Sequence, residues 1–142
     1  MVDRGLVTVK AGKVRKHLRR VEDKRGSSIE AFLDDPDRQD IVSFNLQMAI
    51  QSCIDIAAHV VSDEGMGVPG SINEIFYLLE ESSFLSHEIT EKMVRATGFR
   101  NLLVHEYGKI DLKQVFEIAH HHIGDLNEYL IFIFEKIGIS ED

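Results

Sequence analysis

One cysteine, Cys53, stands in 142 residues, so neither an intramolecular disulfide nor a multi-cysteine metal cluster can form. No uninterrupted apolar stretch reaches the roughly 18 residues that a bilayer-spanning helix needs, which argues against a transmembrane segment. The opening "MVDRGLVTVKAGKVRKHLRR" lacks the apolar core of a signal peptide and is basic and amphipathic instead. A cytoplasmic location is the default expectation, with no membrane as partner. Tryptophan is absent and proline occurs only twice, in a composition that is 44% hydrophobic and 28% charged. That is the make-up of a soluble globular protein, and the length suits one domain with a contiguous core.

A basic excess is missing too. The net charge is −8, but it is unevenly spread: residues 1–25 carry nine Lys/Arg against three Asp/Glu, and residues 26–142 carry seven against twenty-one. Phosphate contacts are usually fed by a basic surface, so bulk electrostatics do not announce a nucleic-acid binder. If RNA binds, the basic N-terminal helix or a local groove must attract it. Clustered charge also suits a partner surface, and two solvated helix faces of opposite sign would give the same asymmetry.

Strand-like alternation is lacking, and the chain reads as helices throughout. A first helix is predicted from residue 5 to 24, with Val7, Val14, Leu18 and Val21 at helical spacing. Gly26 ends it, and Ser27-Ser28-Ile29-Glu30 offers a capping box for a short helix near 28–34. Asp35-Pro36 opens the next, since proline is favoured at the first helical position and Asp just before it. That helix, 36–63, is apolar on more than one face and should be central, or covered on one side by a second subunit. Gly65, Gly67, Pro69 and Gly70 form a loop. Ser71-Ile72-Asn73-Glu74 caps a helix to about residue 82, and Ser86 caps one running into residues 100–107, which Gly108 is placed to end. Asp111 and Gln114 cap a last helix whose stripe, Val115, Ala119, Ile123, Leu126, Leu130, Ile133 and Ile137, is continuous. The fold class is all-α, an up-and-down antiparallel helical bundle.

Several chemistries lack their parts. The Gly65–Gly70 loop has no Lys-Ser/Thr and no preceding strand, so it is not a P-loop. Glu117 and His120 have the spacing of a di-iron motif, but such a centre needs two of them plus two further glutamates. The consecutive His120, His121 and His122 point to different helix faces and cannot all converge on one ion. No metal or other cofactor is expected. Asp55 and His59, one turn apart on the central helix, are expected to pair locally or approach a cleft, and Cys53 to be a small buried hydrophobe.

What is present is "RNLLVHEYG" at 100–108. Leu102, Leu103 and Val104 are expected to anchor the helix, with Arg100, Asn101, His105 and Tyr107 around them. Asn101 and His105, four apart, share a helix face, whereas Arg100 and His105 lie about 140° apart. Tyr107 falls where the helix frays, so its direction is open. Histidine exchanges a proton near neutral pH, and arginine offers a fork of donors to a phosphate oxygen whose charge grows in a transition state. Asparagine would orient the histidine or bind phosphate. One Arg and one His make a sparse site, because strand cleavage needs a base and an acid together. Two copies in a symmetric dimer would supply both.

The string Arg100-Asn101-Leu102-Leu103-Val104-His105-Glu106-Tyr107 resembles the R-x(4–6)-H signature of HEPN domains, in the R-x4-H-x-Y form of the HepT toxin family. "CIDIAAHVV" at 53–61, the Gly/Pro loop followed by "SINEIFYLLEE", and "MVRATGFRNLLVHEYGKID" at 93–111 are similar to that family in the same order. The resemblance implies one HEPN-like domain over residues 1–142, forming a homodimer with both motifs facing a shared cleft. It implies a metal-independent endoribonuclease toxin with RNA as substrate and an MntA-like nucleotidyltransferase antitoxin as partner. Arg100 and His105 become the catalytic pair, Asn101 a supporting residue, and Tyr107 the tyrosine that the antitoxin adenylylates. The competing readings are a non-catalytic HEPN module that binds nucleotide or the nucleotidyltransferase, and an oligomerisation bundle with an idle motif.

Overall fold

The computed structural model describes residues 2–139. The described residues form α1 (Arg4–Lys24), α2 (Ile29–Leu33), α3 (Pro36–Asp63), α4 (Ile72–Glu81), α5 (His87–His105), a 3-10 turn (Tyr107–Lys109), α6 (Leu112–His121) and α7 (Ile123–Ile137), with no strand among them. The fold is an all-α bundle. α3 packs against each of the other six α-helices, and α1 lies along it most extensively.

Local chemistry sets most boundaries. Asp35 accepts from the Arg38 N–H and Pro36 takes the first helical position, where its missing N–H costs nothing. Ser71 and Ser86 accept from the Glu74 and Ile89 N–H groups and open α4 and α5. The Glu74 carboxylate reaches back to the Gly70 N–H, one residue before the cap. The box expected from Ser27 falls one residue later, because the Ser28 hydroxyl takes the Ala31 N–H and donates to Glu30. Gly65 and Gly67 turn the chain after α3 with φ of 62° and 115°, a region that L side chains rarely adopt.

Three further expectations are corrected. The helix expected to run from 112 to 137 breaks at His122, whose backbone leaves the helical region (φ −124°, ψ −2°). The cause is tertiary. α6 reaches over α2, where Phe116 tilts against Phe32 and Arg25 donates to the Ala119 carbonyl, whereas α7 lies along α1 and α5. The Arg25 bond supplies a partner and a positive charge where the last carbonyls of α6 need both. α5 ends at His105, not at Gly108, and the Glu106 N–H closes its last turn on the Leu102 carbonyl. Lastly, α3 is as a whole long and apolar enough to cross a membrane, although no uninterrupted apolar run suggested it. Most of its apolar stretch is buried in the bundle, as befits a core helix.

The core is one cluster drawn from every helix, including Val14, Leu46, Cys53, Ile56, Phe76, Ile89 and Leu130. Each Val, Leu or Ile buried there contributes about 1.5–3 kcal/mol. Tyr129 is fully buried and donates to the Cys53 carbonyl at 2.9 Å, so its hydroxyl costs little. Cys53 itself is fully buried among apolar neighbours.

Candidate functional site

α5 runs antiparallel to α3, with Arg100 at the level of Gln51 and Tyr107 at the level of Asp40. Leu103 is 3% exposed and anchors α5 together with Phe99, whereas Leu102 and Val104 are 37% and 41% exposed. The three therefore do not act as one anchor. Successive residues step by about 100°, so only the middle one of three can face the core. The motif is open to solvent: Asn101, His105 and Tyr107 are exposed and Arg100 is half-buried.

Arg100 is held by a chain of polar contacts. Its Nη2 donates to Gln51 Oε1 at 2.5 Å and its Nη1 to Asn101 Oδ1 at 2.8 Å. The Gln51 amide donates to Asp55 Oδ1 at 2.9 Å, and Lys10 pairs with Asp55 Oδ2 at 3.3 Å. The expectation that Asp55 pairs locally or approaches the cleft holds on both counts, since Gln51, one turn earlier, donates to it and links it to Arg100; the ion pair with Lys10 is a further contact, made across helices. His59 also meets the expectation of a local pairing: its Nε2 lies 3.1 Å from Asp63 Oδ2, one turn on, and 3.3 Å from the Asp3 backbone nitrogen, two contacts that alternate with the protonation of that nitrogen. Asn101 holds the arginine and not the histidine. Among the described residues no hydrogen bond joins His105 to Arg100, Asn101 or Tyr107, and the residue is exposed.

Tyr107, whose direction was open, is fixed by the 3-10 turn and by its hydroxyl donating to Asp40 Oδ1 at 2.5 Å. Partial burial, then the hydrogen bond to Asp40, push its pKa above the ordinary tyrosine value; the nearby Ser43 hydroxyl works in the opposite sense. Asp40 and Gln51 are eleven residues apart, so the two anchor points are separated by about 16 Å along α3. The structure thus brings Arg100 and Asn101 together, and places Tyr107 further along the same helix pair.

Gln51 and Asp40 were missed by the sequence reading. The available signal was their spacing: eleven residues put them on one face of α3, with Asp55 a turn beyond.

The consecutive histidines go to separate partners. His120 lies 4.2 Å from the Phe116 ring centroid, His121 faces Glu117 at 3.9 Å, and His122 faces Asp125 at 3.5 Å. Among the described residues no three His, Cys, Asp or Glu side chains are grouped to hold a metal ion. A cavity of about 670 Å³ opens between α3, α5, α6 and α7, lined by Ile50, Phe99, Leu102, Ile118 and Leu126. Leu102 places its mouth beside the motif.

The sequence pattern of the ribonuclease HepT-like family matches residues 14–133. The chain is 27% identical over 125 residues to the mRNA nuclease HepT of Shewanella oneidensis, an alignment covering 88% of this chain and 93% of that protein. It is 30% identical over 132 residues to the tRNA nuclease HepT of Aphanizomenon flos-aquae, covering 88% of each. The fold is similar to that of the tri-AMPylated HEPN toxin of S. oneidensis in complex with its MNT antitoxin, with a TM-score of 0.86 at 27% identity over 95% of this chain and 99% of that one. The all-α bundle, the R-x4-H-x-Y string that closes α5 and enters the 3-10 turn, and these likenesses over most of the chain agree: the protein belongs to the ribonuclease HepT-like family.

Proposed function

We propose that this chain is a metal-independent endoribonuclease toxin, silenced by a nucleotidyltransferase antitoxin, with its site completed by a second copy of itself. His105 of one copy takes the proton of a ribose 2′-hydroxyl. The O2′–phosphorus bond forms as the bond to the 5′-oxygen breaks, and His105 of the other copy protonates that leaving oxygen. The products are a 2′,3′-cyclic phosphate and a 5′-hydroxyl. Arg100 stabilises the charge that gathers on the non-bridging oxygens, and Asn101 supports it.

The observation that carries this reading is the state of the two side chains. A guanidinium has five donors, and Arg100 spends two of them on Gln51 and Asn101, which fix its plane and leave others for a phosphate. His105 sits in solvent at the end of α5, as a residue completed by a neighbour would. The apolar cavity beside Leu102 supports a dimer, since it offers a second copy buried area next to the motif. Silencing fits Tyr107: its oxygen attacks the α-phosphate of ATP, pyrophosphate leaves, and a phosphate and an adenosine then stand beside the RNA path. The AMPylated relative supports this assignment.

Purified protein incubated with total RNA and a chelator is expected to yield fragments ending in 2′,3′-cyclic phosphate. His105→Ala should abolish cleavage and leave the dimer intact by light scattering. Undiminished cleavage by that variant would refute the assignment; a wild-type dimer that binds nucleotide and cuts nothing would favour the non-catalytic module.

A further inference from the structure

The positive charge of this acidic protein is concentrated in α1, and the structure divides those cations into two groups. Arg4, Lys10, Arg15 and Arg25 are engaged, by the Gly138 carbonyl, Asp55, the Phe134 ring and the Ala119 carbonyl. The side chains of Lys13, Lys16, Arg19, Arg20 and Lys24 make no hydrogen bond or ion pair among the described residues. Four of these, Lys13, Lys16, Arg20 and Lys24, recur at i, i+3, i+7 and i+11, which holds them within about 80° of one another on the helix. The buried seam of α1, Val7, Ala11, Val14, Leu18 and Val21, lies beside that stripe, so the stripe borders the α1–α3 contact.

A cavity of about 450 Å³ lies there, lined by Lys16, His17, Arg20, Asp40, Phe44 and Asn45, with Ile41 at its floor. His17 Nδ1 donates to Asn45 Oδ1 at 2.8 Å, and the Asn45 amide donates to the Ile41 carbonyl at 2.8 Å, so the imidazole is held in place. Phe44 meets it edge-on, with 6.4 Å between centroids, yet is 56% exposed. Asp40 is the carboxylate that accepts from Tyr107. The trough meets the motif through Asp40 and Tyr107, and the α3 face that bears Asp40 and Phe44 runs on to Gln51. α1 and α5 stand on either side of that face and do not touch.

We infer that this trough binds a single-stranded RNA segment leading to the Arg100–His105 site, with Lys16 and Arg20 on its phosphates and Phe44 stacked on a base. Cations tracking a backbone beside an exposed aromatic ring are the pairing that single-stranded nucleic acid requires. An acidic protein surface would use the cations but would not need the ring at 56% exposure beside them. The two cations outnumber the single carboxylate, which already accepts the tyrosine hydroxyl. The inference rests on the ribonuclease reading and names where that substrate is held.

The test is binding of the full chain to a fluorescent 2′-O-methyl oligonucleotide of about 12 nucleotides, which offers no nucleophile, between about 50 and 200 mM salt. Each phosphate of a single strand that is deprived of its cation lowers the slope of log affinity against log salt by about 0.7, so Lys16→Ala with Arg20→Ala should lower it by about 1.4. Arg19→Ala removes the same charge as Arg20→Ala from a position about 100° round the helix, and should leave the slope unchanged. Phe44→Ala should weaken binding by at least about five-fold with no change in slope. Equal slopes for Arg19→Ala, Lys16→Ala and Arg20→Ala overturn the inference. So does a double variant that binds the oligonucleotide normally but loses affinity for poly-glutamate, which would mark a protein dock. Cleavage of total RNA is read in parallel: an inactive wild type fails the ribonuclease reading, and an active wild type with unchanged slopes fails this one.

Discussion

Replacing Gln51 by leucine tests how the motif arginine is held. Gln51 accepts from Arg100 Nη2 and donates to Asp55, and among the described residues it is the one hydrogen-bond partner of the guanidinium outside α5. Leucine keeps the approximate volume of the side chain and removes both polar contacts. A hydrogen bond to a charged group contributes about 1.5–3 kcal/mol, and both residues here are only half-buried, so the low end applies. Asp55 keeps Lys10 at 3.3 Å, so the global fold should lose little. In the proposed mechanism the arginine meets charge that develops in the transition state, so freeing it should lower kcat by about ten-fold, the equivalent of about 1.4 kcal/mol, with a smaller change in KM. Initial rates of RNA cleavage over a range of substrate concentrations give that split. The decisive arm is a double-mutant cycle with Arg100→Ala, because Gln51→Leu should cost nothing further once the guanidinium is gone. An undiminished ten-fold loss in the Arg100→Ala background would refute the reasoning, since Gln51 would then act on something other than Arg100.

Leu103→Ala should cost about 2–5 kcal/mol of stability, whereas Leu102→Ala should cost far less because its side chain is already 37% exposed; denaturant titration compares them. For His120 the expected effect is a pH dependence. Burial first, then the charges of Arg25 and His121, lower its pKa below the ordinary value near 6.5, so the folded state favours the neutral ring. Above that ordinary value both states are neutral and pH has no effect through this residue. As pH falls below it, the unfolded chain takes up the proton first, and stability declines until the lowered folded pKa is passed. His120→Gln should remove that part of the acid loss, read as the difference between wild-type and variant melting curves; identical curves from pH 7 down to about 5 would contradict it.

Much of this fold is legible because helix ends are decided by neighbours in sequence. Asp35, Ser71 and Ser86 each cap a helix through an N–H three residues on, an interaction that residue type and spacing reveal. The break at His122 is not legible in the same way. The stripe from Val115 to Ile137 keeps its three- and four-residue spacing straight through it, and its cause lies in Arg25 and Phe32, far off in the chain. The site divides likewise. Arg100, Asn101, His105 and Tyr107 are visible as a local string, and their family resemblance gives them roles. Gln51 and Asp40, which set the directions of Arg100 and Tyr107, act across 49 and 67 positions of sequence and surface only when α3 and α5 lie side by side.

That arrangement explains why one helix can be both the core and the floor of the site. Asp40, Phe44, Gln51 and Asp55 fall within about 60° of one another on α3, while Ala49, Cys53, Ile56 and Val60 turn into the bundle. The polar face is not excess surface left over from packing, because each of its polar members has a partner from another helix or from its own next turn: Tyr107 for Asp40, Arg100 for Gln51, Lys10 and Gln51 for Asp55. Phe44 is the exception, an aromatic ring left more than half exposed between the α1 cations and the Tyr107–Asp40 pair. It is this ring beside two cations, not exposure alone, on which the inferred trough rests. The proposed silencing uses the same geometry. Tyr107 is tied to Asp40, and Asp40 lines the trough, so under that proposal a group added at the hydroxyl would stand in the inferred RNA path while Leu103 stays buried and keeps α5 in the bundle.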